Sequence, residues 1–133
     1  MTLQDFEKTN DTYPEYISKD RFWYDNDKVK FWYRIVLTCH EYQPTWDADK
    51  YETKYEVYAQ VDEESIHENK KCDFDKLFLF GFLLKNNIKK GKFNEEKAEQ
   101  IINAALNVKI ENKIKKDKYQ KIIGITTGEN YYV

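Results

Sequence analysis

The sequence predicts an α+β domain: an antiparallel β-sheet, or an OB-like barrel, with a helical insert before a closing hairpin. Two long segments, residues 28–42 and 51–61, alternate apolar and polar side chains, as strands with one buried face do. Residues 95–106 carry an apolar stripe at helical spacing behind Asn94, a typical helix-capping residue. The length of 133 residues suits one domain with its own core.

We place the domain at residues 21–126, between an N-terminal arm at 1–20 and a C-terminal tail at 127–133. Residues 1–20 show no periodicity, and Tyr13-Pro14 favours an extended or turn conformation, so we interpret them as an arm or a cover for a sheet edge. The chain begins without a basic, apolar leader, and its longest dense apolar run, residues 77–84, is too short to cross a bilayer. We therefore expect a cytoplasmic protein that does not span a membrane, with Cys39 and Cys72 as reduced thiols.

The two long strands predict a ribbon with one solvated face. The inward positions of the first strand are Val29, Phe31, Tyr33, Ile35, Leu37 and Cys39. Its outward positions are Lys30, Trp32, Arg34, Val36, Thr38 and His40. In the second strand Tyr51, Thr53, Tyr55, Val57, Ala59 and Val61 point inward, and Glu52, Lys54, Glu56, Tyr58 and Gln60 point outward. Residues 21–24 are a short preceding strand.

The second half of the chain supplies the insert and the hairpin. Residues 74–86 fit a helix capped by Asp73, but the run is apolar almost all round, so a buried strand is the alternative. Residues 87–92 are expected to form a basic loop ending at Gly91. After the helix at 95–106, residues 107–114 and 119–125 alternate as two strands around a Lys-rich turn at 115–118.

Neither a metal centre nor a cofactor site is predicted. The four Cys and His residues are Cys39, His40, His67 and Cys72. Cys39 and His40 are neighbours on a strand, so they point to opposite faces and do not converge on one ion. The chain also has no Gly-x-Ser-x-Gly elbow and no Gly-rich phosphate loop.

A nuclease site is not predicted either. Asp47, Glu52 and Lys54 have the residue types of a metal-dependent nuclease, but the short spacing leaves no room for a hairpin between the two carboxylates. We interpret them as solvated charges and expect no enzyme activity.

The charge distribution and the aromatic content together indicate a binding role. Residues 1–69 carry 8 Lys or Arg against 16 Asp or Glu, and residues 70–121 carry 14 Lys against 7 Asp or Glu. Aromatic residues make up 17% of the chain. Proteins that hold single-stranded nucleic acid stack bases on rings and contact phosphates with cations. The candidate residues are Lys30, Trp32, Arg34, Lys54, Tyr58, Lys113, Lys115, Lys116, Lys118 and Tyr119.

The order of the predicted elements resembles that of phage-encoded single-stranded DNA-binding proteins with an OB-like fold. Residues 74–125, in which Asn94-Glu95-Glu96 opens the helix and a Lys-rich turn joins two strands, carry most of the resemblance. It implies single-stranded DNA as ligand, a role in phage or plasmid replication or recombination, and a homo-oligomer.

The alternative is a mobile-element protein that binds and inhibits a host nucleic-acid enzyme. The acidic half carries Tyr13, Tyr16, Trp46 and Tyr51, and Tyr and Trp are favoured anchors at protein interfaces. In that case the partner is a protein of host or phage origin.

Overall fold

A computed structural model describes residues 1–10, 14–26, 29–46, 49–62, 67–68 and 81–117. These residues form seven strands: β1 (Phe6–Asn10), β2 (Glu15–Ser18), β3 (Phe22–Asp25), β4 (Val29–Tyr42), β5 (Glu52–Val61), β6 (His67–Glu68) and β7 (Phe82–Lys90). They also form two helices, α1 (Glu95–Leu106) and α2 (Ile110–Asp117). The fold is therefore α+β, as predicted.

One antiparallel sheet, open within the described residues, organises the molecule, and β4 is its spine. The strand order is β1-β2-β4-β5-β7, with β3 and β6 also paired to β4. The β4–β5 register runs from Tyr33 opposite Val61 to Tyr42 opposite Glu52, so the predicted antiparallel ribbon is confirmed. Barrel closure is not seen in this part of the chain.

The core lies between the inner face of the sheet and helix α1. Alternation places Phe31, Ile35, Leu37 and Cys39 of β4 in this core, and all are buried. From β5 the buried residues are Thr53, Tyr55, Val57, Ala59 and Val61. The predicted inward positions are thus confirmed for these residues, and Tyr33 packs against the same core. Tyr51 precedes β5 and is half-buried, and the side chain of Val29 is not described.

Helix α1 is confirmed with its predicted cap. The side chain of Asn94 accepts a hydrogen bond from the Lys97 backbone N–H at 3.0 Å, and Glu95 and Glu96 occupy the first turn, where the helix dipole favours anions. Of the predicted stripe, Ala98, Ile101, Ile102 and Ala105 are buried, while Leu106 is exposed.

Residues 82–90 form a strand, so the predicted loop at 87–92 is wrong over most of its length. Over residues 82–86 the strand alternative is confirmed against the helix; residues 74–80 lie outside the described part of the chain. Gly81 adopts a positive φ of 107°, and a Cβ there would overlap the Ala59 carbonyl oxygen. The absence of a side chain thus lets β7 begin against β5.

The predicted closing hairpin is wrong where the structure describes it, because residues 110–117 form helix α2. Ile110 and Ile114 are four residues apart, a spacing that fits both a strand and a helix. Ile110 packs against the core, which places α2 on the inner side of the sheet with α1. The second strand of the hairpin, residues 119–125, lies outside the described residues.

Residues 1–20 contribute strands to the sheet instead of an irregular arm. Strand β2 pairs with β4, with Tyr16 opposite Leu37, and β1 pairs with β2. The segment therefore covers the edge of β4, in line with the second interpretation of its role. Strands of four and five residues are too short to show periodicity in the sequence.

Candidate nucleic-acid interface

Two tryptophans meet on the outer face of the sheet, opposite the helices. The β3–β4 pairing sets Trp23 directly across from Trp32, and their ring centroids are 5.1 Å apart with a tilt of 53°. Trp23 is 42% exposed, which leaves a large apolar surface open to solvent. We call this pair, with the cations around it, the tryptophan corner.

In the described part of the chain, three cations accompany the tryptophan corner. The Arg21 guanidinium lies 5.1 Å from the Trp32 ring centroid, a cation–π arrangement. Lys30 and Arg34 flank Trp32 on the same face of β4, and both are exposed. The corner therefore combines ring faces with positive charge.

The corner cations also have acidic neighbours. Arg21 Nη1 lies 3.2 Å from Asp62 Oδ2, and Lys30 Nζ lies 3.8 Å from Asp25 Oδ1. All four side chains are substantially exposed, and exposed pairs of this kind contribute about 0–1 kcal/mol. A phosphate group can therefore replace these carboxylates at low cost.

A second aromatic cluster beneath the corner, on the inner face, holds the two strands in place. Phe22 stacks on Tyr33 at 5.6 Å between centroids, and Tyr24 lies 5.0 Å from Phe31. Burial raises the pKa of the Tyr24 and Tyr33 hydroxyls. The strands that carry the tryptophans are therefore packed, on their inner face, against a cluster of uncharged aromatic side chains.

The structure brings together three of the ten predicted site residues: Lys30, Trp32 and Arg34. Lys54 lies further along the outer face, 3.9 Å from Glu56. Tyr58 is only 9% exposed, packs on Val36, and donates its hydroxyl hydrogen bond to Glu56 at 2.8 Å. Its ring is therefore part of the structure and does not offer a stacking surface.

The predicted basic residues of the C-terminal segment do not join this face. Lys113, Lys115 and Lys116 belong to α2, on the opposite side of the sheet. The side chains of the latter two are not described, and Lys118 and Tyr119 lie outside the described residues. The predicted groove between Trp32 and a Lys-rich hairpin is thus not formed by α2.

Sequence reasoning missed Arg21 and Trp23. Residues 21–24 were predicted as a short strand, but without a partner and a register nothing indicated which face each side chain takes. The residues that follow, Asp25-Asn26-Asp27, are typical of a turn, but a turn of these three residues would set Trp23 opposite Val29. In the structure Asp25 still belongs to β3 and pairs with Lys30, and this register sets Trp23 opposite Trp32.

Comparisons with protein-family models, with curated proteins and with solved structures find no match for this chain. In the described residues, no helix is long and apolar enough to cross a membrane. The same residues contain no group of three or more His, Cys, Asp or Glu able to hold a metal ion. Cys39 is buried and His40 is exposed, which confirms that they face opposite sides of the sheet.

Proposed function

We propose that the protein binds single-stranded nucleic acid, DNA in the first instance, at the tryptophan corner. The observation that carries this proposal is the contact between the exposed Trp23 and the half-buried Trp32, with Arg21, Lys30 and Arg34 on the same face. Rings stack on any base and cations follow the phosphates, so such a site tolerates many sequences. A role in phage or plasmid replication or recombination, an OB-like closure and a homo-oligomer belong to the same proposal.

The site favours single strands because its ring faces are reached only by unpaired bases. In a duplex the bases stack on each other, and their faces are covered. The face is also nearly balanced in charge, since Asp25 and Asp62 accompany Lys30 and Arg21. Stacking therefore supplies a larger share of the binding energy than long-range attraction does.

The test is fluorescence anisotropy of a labelled six-nucleotide oligo-dT, at low and moderate salt, with the wild-type protein and a Trp23→Ala/Trp32→Ala variant. Stacking is worth about 1–3 kcal/mol per base, so the double variant should bind at least tenfold more weakly. Trp46→Ala is the matched control, because Trp46 is 96% exposed and lies in the loop after β4, at the other end of the sheet. Equal affinity of the wild type and the double variant would contradict the proposal.

A second candidate function, binding to a protein partner, is favoured by Trp46 itself. A tryptophan with almost its whole surface in solvent is unusual, and Trp is enriched among residues that dominate protein interfaces. Two of the other predicted anchors are engaged internally, since Tyr16 stacks on Phe93 and Lys92 lies over Tyr51; Tyr13 lies outside the described residues. A stoichiometric partner recovered from a bacterial lysate by the wild type, and lost with Trp46→Ala, would support this candidate.

A further inference from the structure

A cleft of about 490 Å³ opens at the far end of the β4–β5 ribbon from the tryptophan corner. The loop after β4 and the turn between β7 and α1 form its walls, from Pro44 on one side to Gly91 on the other. Its volume lies in the range of sites that hold small molecules or parts of larger ligands.

The floor of the cleft is built from backbone held in place by hydrogen bonds. The Gly91 N–H donates to the Tyr51 carbonyl at 2.7 Å, and the Thr53 hydroxyl donates to the Gly91 carbonyl at 2.7 Å. Gly91 has a positive φ of 95°, and no atom lies within 4 Å of the place a Cβ would take. The turn is therefore fixed, and the space above it is open.

Among the described residues that line the cleft, cations outnumber carboxylates by three to two. Lys50, Lys90 and Lys92 line the cleft, against the carboxylates of Asp49 and Glu52. Glu52 also accepts a hydrogen bond from the Tyr42 hydroxyl at 2.9 Å. Lys92 Nζ lies 4.8 Å from the centroid of the Tyr51 ring, so an ammonium group is held at the opening beside an aromatic face.

The cleft lies at the end of the strands whose outer face carries the tryptophans. Glu52 of β5 pairs with Tyr42 of β4 on one side and with Lys90 of β7 on the other. Tyr42 lies ten residues beyond Trp32 along β4, a distance of about 34 Å at about 3.4 Å per residue. At a stacked rise of about 3.4 Å per nucleotide, about ten nucleotides span the interval.

Building on the proposed function, we propose that this cleft is a second contact region for the same strand. Lys50, Lys90 and Lys92 bind its backbone phosphates, and the bases near the other end stack on Trp23 and Trp32. Strands too short to reach from the corner to the cleft bind at the corner alone. The bound length is then set by the length of the β4–β5 ribbon.

The test compares a six-nucleotide with a fifteen-nucleotide oligo-dT on the full chain, by anisotropy across a salt series. With the longer strand, Lys50→Gln/Lys92→Gln should reduce the slope of log K against log salt by about 1.4, at about 0.7 per phosphate contact. Affinity for the longer strand should fall several-fold, and affinity for the shorter one should stay within twofold. Lys109→Gln/Lys113→Gln removes the same charge from the helical side and should leave both strands unaffected.

An unchanged salt slope for the longer strand would overturn the inference, and so would an equal effect of the control pair. If the lysine changes weaken binding of free thymidine monophosphate but leave the affinity for the longer strand unaltered, the cleft is a mononucleotide site and the inference also fails. The two proposals fail separately. If the tryptophan variant binds the short strand more weakly but the lysine variant binds the long strand as the wild type does, only the inference about the cleft fails. If the tryptophan variant binds the short strand as tightly as the wild type does, the proposed function fails.

Discussion

The two faces of the sheet are made by the same strands, yet they differ in almost every physical property. On the inner side, Phe31, Ile35, Leu37 and Tyr55 have no solvent exposure and pack under α1. On the outer side at the corner, Trp23 and Arg34 face solvent, and cations lie beside the rings. The rings of the inner face stabilise the fold, whereas Trp23 on the outer face is 42% exposed.

This difference teaches that composition alone does not identify a binding residue. Tyr58 and Trp32 both point outward, but Tyr58 is covered by the small cluster around Val36, with Ile17 and Leu83 beside it. Trp32 lies past the end of that cluster, next to Trp23. Position along the outer face therefore decides which aromatic side chains are covered by neighbouring residues.

The largest expected effect comes from two positions of β4 on opposite faces. Leu37→Ala removes a side chain with no exposure, so it should lower the free energy of unfolding by about 2–5 kcal/mol, as measured by urea denaturation. Arg34→Ala should change that free energy by no more than about 0.5 kcal/mol. It should instead weaken binding of the six-nucleotide strand. Similar losses of stability at both positions would remove the distinction between the faces.

Alkaline pH should act on the inner face through Cys39. Burial, with the nearby Glu41 carboxylate, raises the pKa of this thiol from 9.0 to about 12. Between these values the unfolded chain loses the proton and the folded chain keeps it, so the free energy of unfolding falls as pH rises. A difference of three pKa units corresponds to at most about 4 kcal/mol.

The measurement is urea unfolding between pH 7 and 11, with Cys39→Ala for comparison. Burial also raises the pKa of Tyr33 and Tyr55, which adds the same trend to both proteins. The excess stability of the wild type over Cys39→Ala should therefore shrink above pH 9. A constant difference across this range would show that the thiol is not desolvated.

The smallest expected effect concerns the attachment of α1 to the inner face. Asn94→Ala removes the side-chain oxygen that accepts a hydrogen bond from the Lys97 N–H, so it should lower the free energy of unfolding, measured by urea denaturation, by about 1 kcal/mol. Asn94→Asp keeps an acceptor at the helix N-terminus and should retain most of that stability. The hydrogen bond from the Asn94 N–H to the Tyr55 hydroxyl, 3.0 Å long, uses the backbone and is present in both variants. Equal losses in the two variants would assign the effect to packing instead of capping.

Sequence patterns predicted β4, β5 and α1 because each is long enough to repeat its period several times. The alternation in β4 separates Leu37 from Arg34 without any knowledge of a neighbour. The cap at Asn94 is equally local, since the acceptor and the N–H are three residues apart. Three of the five residues of the tryptophan corner, namely Lys30, Trp32 and Arg34, follow from the same alternation.

The remaining features depend on partners distant in the chain. Residues 82–90 are a strand because β5 offers them a hydrogen-bonding edge. Strand β2 lies in the sheet because it pairs with the edge of β4 that β5 does not use. The spacing of Ile110 and Ile114 permits both a helix and a strand, and packing of Ile110 against the core selects the helix.

The sequence by itself therefore determined the long ribbon, its two faces and the capped helix, because those signals repeat within a short stretch of chain. Only the tertiary structure decided that Trp23 meets Trp32, that Arg21 covers the ring, and that Lys50, Lys90 and Lys92 surround one cleft. Strand register and the convergence of separate turns are set by hydrogen bonds between distant residues, and no local period encodes them.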